Sequence, residues 1–204
     1  MTNLPTTKKE PKPRLILASA SPRRRELLDA MGCHFSVQSA DIDEQQTVDE
    51  CASDYVARLA HEKARAVLDL HLPSDHPVAI LAADTIVAQG DIIFGKPKDQ
   101  ADAFRMWNSL QDASHTVITG VCLIFSGGVQ SCLVQSRVEF GPINDSQMHR
   151  YWQSGEPLDK AGAYAIQGLA SAWVKLIHGS YSNVVGLPLR ETNQLLTLVD
   201  HNWL

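Results

Sequence analysis

The segment Ser19-Ala20-Ser21-Pro22-Arg23-Arg24-Arg25 gathers two hydroxyls and three guanidinium groups behind a short apolar strand, Arg14 to Ala18. Ser21-Pro22 opens a helix there, since serine caps free amides and proline's fixed φ suits the first helical position. A helix N-terminus presents unpaired N–H groups and partial positive charge, a natural seat for phosphate. Arginine adds planar forks, each charge-assisted bond being worth about 1.5–3 kcal/mol. Arginines at this end oppose the macrodipole, and a bound anion relieves that conflict. The competing reading is an ordinary capped helix with a solvated basic turn.

Other candidates lie far apart in the chain. Asp84-Thr85 follows the apolar run Val78 to Ala83, expected to be a strand covered on both faces with Asp84 at its end. A carboxylate at such an end is where α/β proteins place catalytic and metal-binding groups. A turn aspartate bonded to nearby amides is the plainer alternative. Glu44, in the acidic loop Asp41-Ile42-Asp43-Glu44, is either a second carboxylate at a metal or a solvated charge. Lys63 sits on or beside the apolar stripe of the best helical pattern, Ser53 to Leu70. A lysine there snorkels to water or points into a site.

Gly90 to Pro97 matches a P-loop through Gly95-Lys96 and then fails. Pro97 replaces the hydroxyl residue that would hold magnesium, and the interior is apolar and strand-like. Lys96 remains a source of positive charge. In Asp159-Lys160-Ala161-Gly162-Ala163-Tyr164-Ala165-Ile166-Gln167-Gly168, small residues let the backbone approach a ligand closely. Gln167 offers donor and acceptor to a base edge. A plain Gly/Ala-rich loop competes with that reading.

The elements that must position these residues alternate between helix and strand. Further helices are expected from Asp99 to about Leu110, from Asn144 to Gln153 and from Pro188 to about Val199. Strands are expected near Phe35 to Ser39, near Ala172 to Ile177, and as a hairpin, Thr116 to Phe125 with Val129 to Phe140. The hairpin makes a purely parallel sheet unsuitable. The expectation is an α/β domain, residues 14–204, on a mixed, twisted sheet flanked by helices. Met1 to Pro13, polar and rich in proline and lysine, reads as a loose tail rather than a secretory signal.

Composition narrows the function. The 204 residues carry 18 Lys plus Arg and 23 Asp plus Glu, a net charge of −5. A net anion is a poor general binder of nucleic acid or acidic lipid, so an anionic ligand needs a local cluster of cations. No apolar run approaches membrane-spanning length, and the cytoplasm is the expected location. The eight histidines form no compact ligand set, and Cys33, Cys51, Cys122 and Cys132 show no CxxC. The cysteines read as small apolar residues, the alternative being that Cys122 and Cys132 face each other across the hairpin.

Taken in order, Ser19 to Arg24, Asp43-Glu44, Glu62-Lys63-Ala64, Ala83-Asp84-Thr85, Gly95-Lys96-Pro97 and Asp159 to Gly162 resemble the Maf family of nucleoside triphosphate pyrophosphatases. The likeness runs from Leu15 to about Leu196. It implies an elongated fold like that of inosine triphosphate pyrophosphatases, with a deep cleft, and often a homodimer. Gly162 to Gly168 looks like the branch acting on dTTP and UTP, although Ala165 stands where that branch commonly has glycine. The resemblance implies that Ser19, Ser21, Arg23 and Arg24 hold phosphates, while Lys63 and Lys96 neutralise the leaving pyrophosphate. It implies that Glu44 and Asp84 engage Mg²⁺ or Mn²⁺, that Asp84 activates water, and that Arg23, Thr85 and Gln167 set specificity. A nucleotide-binding regulator of cell division without catalysis, or a 7-methyl-GTP enzyme, are the alternatives.

Overall fold

The computed structural model describes residues 12–39, 41–73 and 76–199. The chain runs β1 (Arg14–Leu17), α1 (Pro22–Ala30), β2 (Ser36–Val37), α2 (Ala52–Asp69), β3 (Val78–Gln89), β4 (Ile92–Phe94) and α3 (Gln100–Leu110). It continues through β5 (Ser114–Phe125), β6 (Gly128–Phe140), α4 (Asp145–Gln153), β7 (Val174–His178), α5 (Tyr181–Val185) and α6 (Leu189–Leu196). Short 3₁₀ turns lie between α4 and β7 and after α6. The expected tail lies outside the described residues except for Lys12 and Pro13.

The sheet is mixed, in the order β2-β1-β3-β5-β6-β7, with β4 pairing β3. β1 runs parallel to β2 and β3, and the remaining pairs are antiparallel. Helices cover both faces, because successive side chains on a strand point to opposite sides. Ile80 and Ala82 of β3 join Ile16, Cys122 and Ile124 under Ala60, Ala64 and Val67 of α2. Ala79, Leu81 and Ala83 meet Leu28 of α1 and Leu195 and Leu196 of α6 on the other face. A third cluster, built on Trp107, Phe140, Tyr151, Tyr164 and Trp173, fills the end of the sheet beneath α3 and α4.

Local signals explain the helix ends. Asp99 caps α3, its side chain accepting from the Asp102 N–H, and Asn144 with Gln147 forms a capping box on α4. Ser21 behaves differently. It is the N-cap of α1 but its hydroxyl makes no capping bond, and its own N–H donates to Ser19 Oγ at 3.2 Å.

Three expectations need correction. β3 does not stop at Ala83 but continues to Gln89, 12 residues in all, so Asp84 lies inside a strand. Its antiparallel pairing with β5 runs unbroken from Ile80 to Ala88, which holds the polar pair Asp84-Thr85 extended. Cys122 and Cys132 do not face each other: Cys132 pairs with Val121, and that single-residue offset puts the two thiols on opposite faces. The strand expected from Ala172 starts only at Val174, because Leu169–Trp173 coils into a 3₁₀ turn.

Candidate active site

β1 ends at Leu17, paired with Leu81, whereas β4 joins β3 only from Val87. Between them β3 has an open edge at Ala83 to Ile86. A crevice beyond the carboxyl end of a parallel strand is where α/β sheets bind ligands. A cavity of about 500 Å³ opens at this gap. Strand alternation divides Asp84 and Thr85 between the two helix layers. Asp84 meets Lys63 of α2, and Thr85 meets Arg24 of α1.

On the α2 side two carboxylates share one ammonium. Lys63 Nζ lies 2.6 Å from Asp84 Oδ1 and 2.7 Å from Glu44 Oε1. Asp84 is 8% exposed, so its charge is mostly withdrawn from water and depends on that partner. Desolvation pushes the Glu44 carboxyl pKa up. The Lys63 hydrogen bond and the charges of Lys63, Lys96 and Arg24 outweigh it, leaving the pKa below the usual value. Lys96 is exposed in the cavity lining and makes no ion pair among the described residues.

On the α1 side Arg24 is committed to the scaffold. Its Nε donates to the Gly186 carbonyl at 2.8 Å, Nη1 to Ser19 Oγ at 3.2 Å and Nη2 to Thr85 Oγ1 at 3.0 Å. Thr85 Oγ1 lies 2.9 Å from Thr119 Oγ1, which donates to the Asn183 carbonyl at 3.2 Å. Desolvation lowers the Arg24 pKa and the Asp84 charge raises it again; a guanidinium stays protonated throughout. Ser19 Oγ accepts from both Ser21 N–H and Arg24, which leaves its own O–H to donate elsewhere. Arg23 lines the cavity and makes no ion pair among the described residues, so its fork is available to a ligand. The first turn of α1 lines the same cavity, and the first N–H groups of a helix have no partner within it.

The far wall is apolar: Val87, Val117, Tyr164, Ile166, Val184 and Val185. Its loop is held from behind. Trp107 Nε1 donates to the Ala163 carbonyl at 2.9 Å, and the Ala165 N–H donates to Tyr151 Oη at 3.0 Å. Gly162 (φ +66°) and Ala163 (φ +57°) adopt left-handed backbone, and Ala165 carries no positive φ. Such a conformation costs alanine roughly 1–2 kcal/mol, which the Trp107 bond helps to offset. Ile166 and Gln167 form a turn closed by Gly168 N–H to the Ala165 carbonyl at 3.1 Å. That turn leaves Gln167 exposed, one residue beyond the lining.

Tyr164 Oη meets His115 Nε2 at 2.8 Å, and His115 is 2% exposed. Burial lowers the His115 pKa to about 4. The folded protein therefore holds this ring neutral, while the unfolded chain protonates it near pH 6.5. Its contribution is complete above pH 6.5 and is lost as pH falls towards 4. Between pH 7 and pH 5 this linkage amounts to about 2 kcal/mol. Urea unfolding at both pH values is expected to show that difference between the parent and His115→Gln, whose slope is flatter.

Among the described residues no group of three or more His, Cys, Asp or Glu side chains converges to cage a metal. The donor chemistry still fits a hard divalent cation. Glu44 and Asp84 bring carboxylate oxygens to one point already occupied by positive charge. Mg²⁺ is commonly held by one or two carboxylates with substrate phosphates completing the shell.

Ser19, Ser21, Arg23, Arg24, Glu44, Lys63, Asp84, Thr85 and Lys96 all line one cavity, and Gln167 does not. Sequence reasoning overlooked Tyr55, which shares the lining, and the Gly186 carbonyl, which anchors Arg24. Tyr55 precedes Lys63 by eight residues, the spacing of one helix face, so that signal was present. Nothing in a one-dimensional pattern points to Gly186.

A family model described as Maf-like protein matches residues 14–199. A dTTP/UTP pyrophosphatase of Hahella chejuensis is 50% identical over 183 residues, 90% of this chain and 90% of that protein. One of Colwellia psychrerythraea is 46% identical over 198 residues, 96% of this chain and 93% of that protein. Among solved structures, a nucleoside-triphosphatase / dITP/XTP pyrophosphatase from Mycobacterium abscessus gives a TM-score of 0.39 at 13% identity, covering 64% of this chain and 74% of that one. Matched from its first strand to its last turn, and nearly end to end by close relatives, this chain belongs to the Maf family.

Proposed function

We propose that this chain is a nucleoside triphosphate pyrophosphatase that hydrolyses dTTP and UTP to the monophosphate and pyrophosphate. The observation that carries the reading is the meeting of opposites in one cavity. A carboxylate pair bridged by Lys63 faces a helix N-terminus bearing Ser19, Ser21 and Arg23. Relatives at 50% and 46% identity named dTTP/UTP pyrophosphatase support the pyrimidine preference.

In the mechanism, the N–H groups of α1, the Ser19 and Ser21 hydroxyls and Arg23 receive phosphate oxygens. Arg24 holds Ser19 and Thr85 in place rather than spending its whole fork on substrate. Asp84 Oδ1 is engaged by Lys63, and its second oxygen orients a water and accepts its proton. A new P–O bond forms, the bridging P–O bond between the α- and β-phosphates breaks, and pyrophosphate leaves. Lys63 and Lys96 neutralise the charge that develops on it. Glu44 and Asp84 would hold a divalent cation, Mg²⁺ or Mn²⁺, which when bound would supply further charge neutralisation and lower the pKa of water. The apolar wall from Tyr164 to Ile166 receives the base.

Release of pyrophosphate from a panel of triphosphates, with Mg²⁺ or Mn²⁺ present, tests the reading. Pyrophosphate and monophosphate from dTTP and UTP are expected; binding without product favours the regulator of cell division. Gln167 reaches only a part of the substrate that projects past Ile166. Gln167→Glu is expected to cost dTTP and UTP turnover more than 7-methyl-GTP turnover. Equal losses remove Gln167 from base recognition. The same reading carries a cytoplasmic location and a homodimer, the latter checked by light scattering in solution. Among the described residues no helix is long and apolar enough to cross a membrane.

A further inference from the structure

Glu44 reaches Lys63 from a segment, residues 41–51, that contains neither helix nor strand. A free loop would spread its carboxylate over many positions. Here two consecutive peptide carbonyls, those of Glu44 and Gln45, are both gripped by α2. Tyr55 Oη donates to the Glu44 carbonyl at 2.7 Å, and Arg58 Nη2 donates to the Gln45 carbonyl at 3.0 Å. Arg58 also forks Glu50, Nε to Oε1 at 2.7 Å and Nη2 to Oε2 at 2.9 Å. Glu50 in turn accepts the Thr47 N–H at 3.0 Å, and the Gln46 amide donates to the Glu50 carbonyl at 2.8 Å. The Arg58 guanidinium lies over the Tyr55 ring, 5.6 Å from its centroid. Its Nη1 meets Glu62 at 3.1 Å, which fixes the arginine on the helix. The Glu50 side chain is 7% exposed, so the fork is sheltered from competing water.

We propose that Tyr55 and Arg58 are positioning residues that clamp the 44–50 loop onto α2 and so deliver the Glu44 carboxylate to Lys63 and Asp84. This rests on the role given to Glu44 above. Both grips originate on the helix that carries Lys63, so loop and lysine are referred to one rigid element. Arginine is required for the fork, since an ammonium cannot bridge two carboxylate oxygens and a carbonyl in one plane.

The test is a double-mutant cycle on turnover, with Tyr55→Phe and Arg58→Lys each made alone and on Glu44→Gln. Alone, Tyr55→Phe is expected to lower kcat/KM roughly 3- to 10-fold, the range for one lost hydrogen bond. Arg58→Lys is expected to cost about tenfold or more. On Glu44→Gln each is expected to cost less than about twofold, because the residue they act through is already disabled. Equal losses in both backgrounds overturn the proposal and leave a general structural role. Full turnover in Glu44→Gln alone overturns the role of Glu44, a separate and recognisable failure. Amide exchange without substrate gives a readout independent of activity. Protection of the Thr47 and Glu50 amides is expected to fall in both variants while β3 keeps its own. Unchanged protection of these amides also sinks the clamp.

Discussion

Asp84→Asn is expected to fold and to lose at least about a hundredfold in kcat, the lower end of what a positioned general base supplies. The change is close in shape and volume, so the strand register that holds residue 84 between Ala83 and Thr85 has no reason to move. Removing one partner of a buried ion pair is usually costly because it strands the other charge. Here Lys63 keeps Glu44 at 2.7 Å, so its ammonium retains a counter-charge and the fold survives. What disappears is the proton acceptor of the proposed mechanism, since an amide has no basicity near neutral pH. Pyrophosphate release from dTTP measures the loss, and circular dichroism with urea unfolding measures the fold. Turnover within a fewfold of the parent would remove Asp84 from the reaction and transfer the burden to Glu44.

The legible parts of this molecule are those whose information is local. The three- and four-residue repeat of Val56, Leu59, Ala60, Ala64 and Val67 predicts α2 almost to its ends, and it places Lys63 beside the buried stripe. Ser-Pro before three arginines marks the start of α1, and Asp99 and Asn144 mark the starts of α3 and α4. Asp84 shows where this stops. A carboxylate after an apolar run reads as the end of a strand, yet β5 pairs β3 straight past it. Only the register of a strand some 35 residues away (Asp84 opposite Gly120) decides that, and pairing register is not written in either strand alone. The Arg24 network is harder still: its partner carbonyl at Gly186 is 162 residues distant. A carbonyl has no residue type, so no motif can announce it. The same limit applies to backbone strain, which falls on Ala163 rather than at Ala165, where a glycine was missing from the expected pattern.

That register also makes one small residue decisive. Gly120 lies opposite Asp84, so its missing side chain would point to the same face, towards α2. A Cβ added there would stand 2.6 Å from the Val56 carbonyl oxygen and 3.1 Å from the Ala57 nitrogen. Those are backbone atoms, so no rotamer change relieves the contact and the helix itself must shift. Gly120→Ala is therefore expected to lower the unfolding free energy by about 3 kcal/mol, the upper part of the overpacking range. The larger effect is on chemistry. α2 carries Tyr55 and Lys63, and Lys63 holds Asp84 at 2.6 Å. A displacement near 1 Å at a reacting group costs on the order of a hundredfold, so kcat is expected to fall at least about tenfold at temperatures where the variant is fully folded. Gly90→Ala separates the two effects. Gly90 has open space around its Cα and a φ of +59°, so alanine there costs roughly 1–2 kcal/mol of backbone strain and no clash. Urea unfolding is expected to register that loss while kcat stays at the parent value. If Gly120→Ala instead behaves like Gly90→Ala, losing stability but not turnover, then the spacing between α2 and β5 does not set the geometry of Lys63 and Asp84.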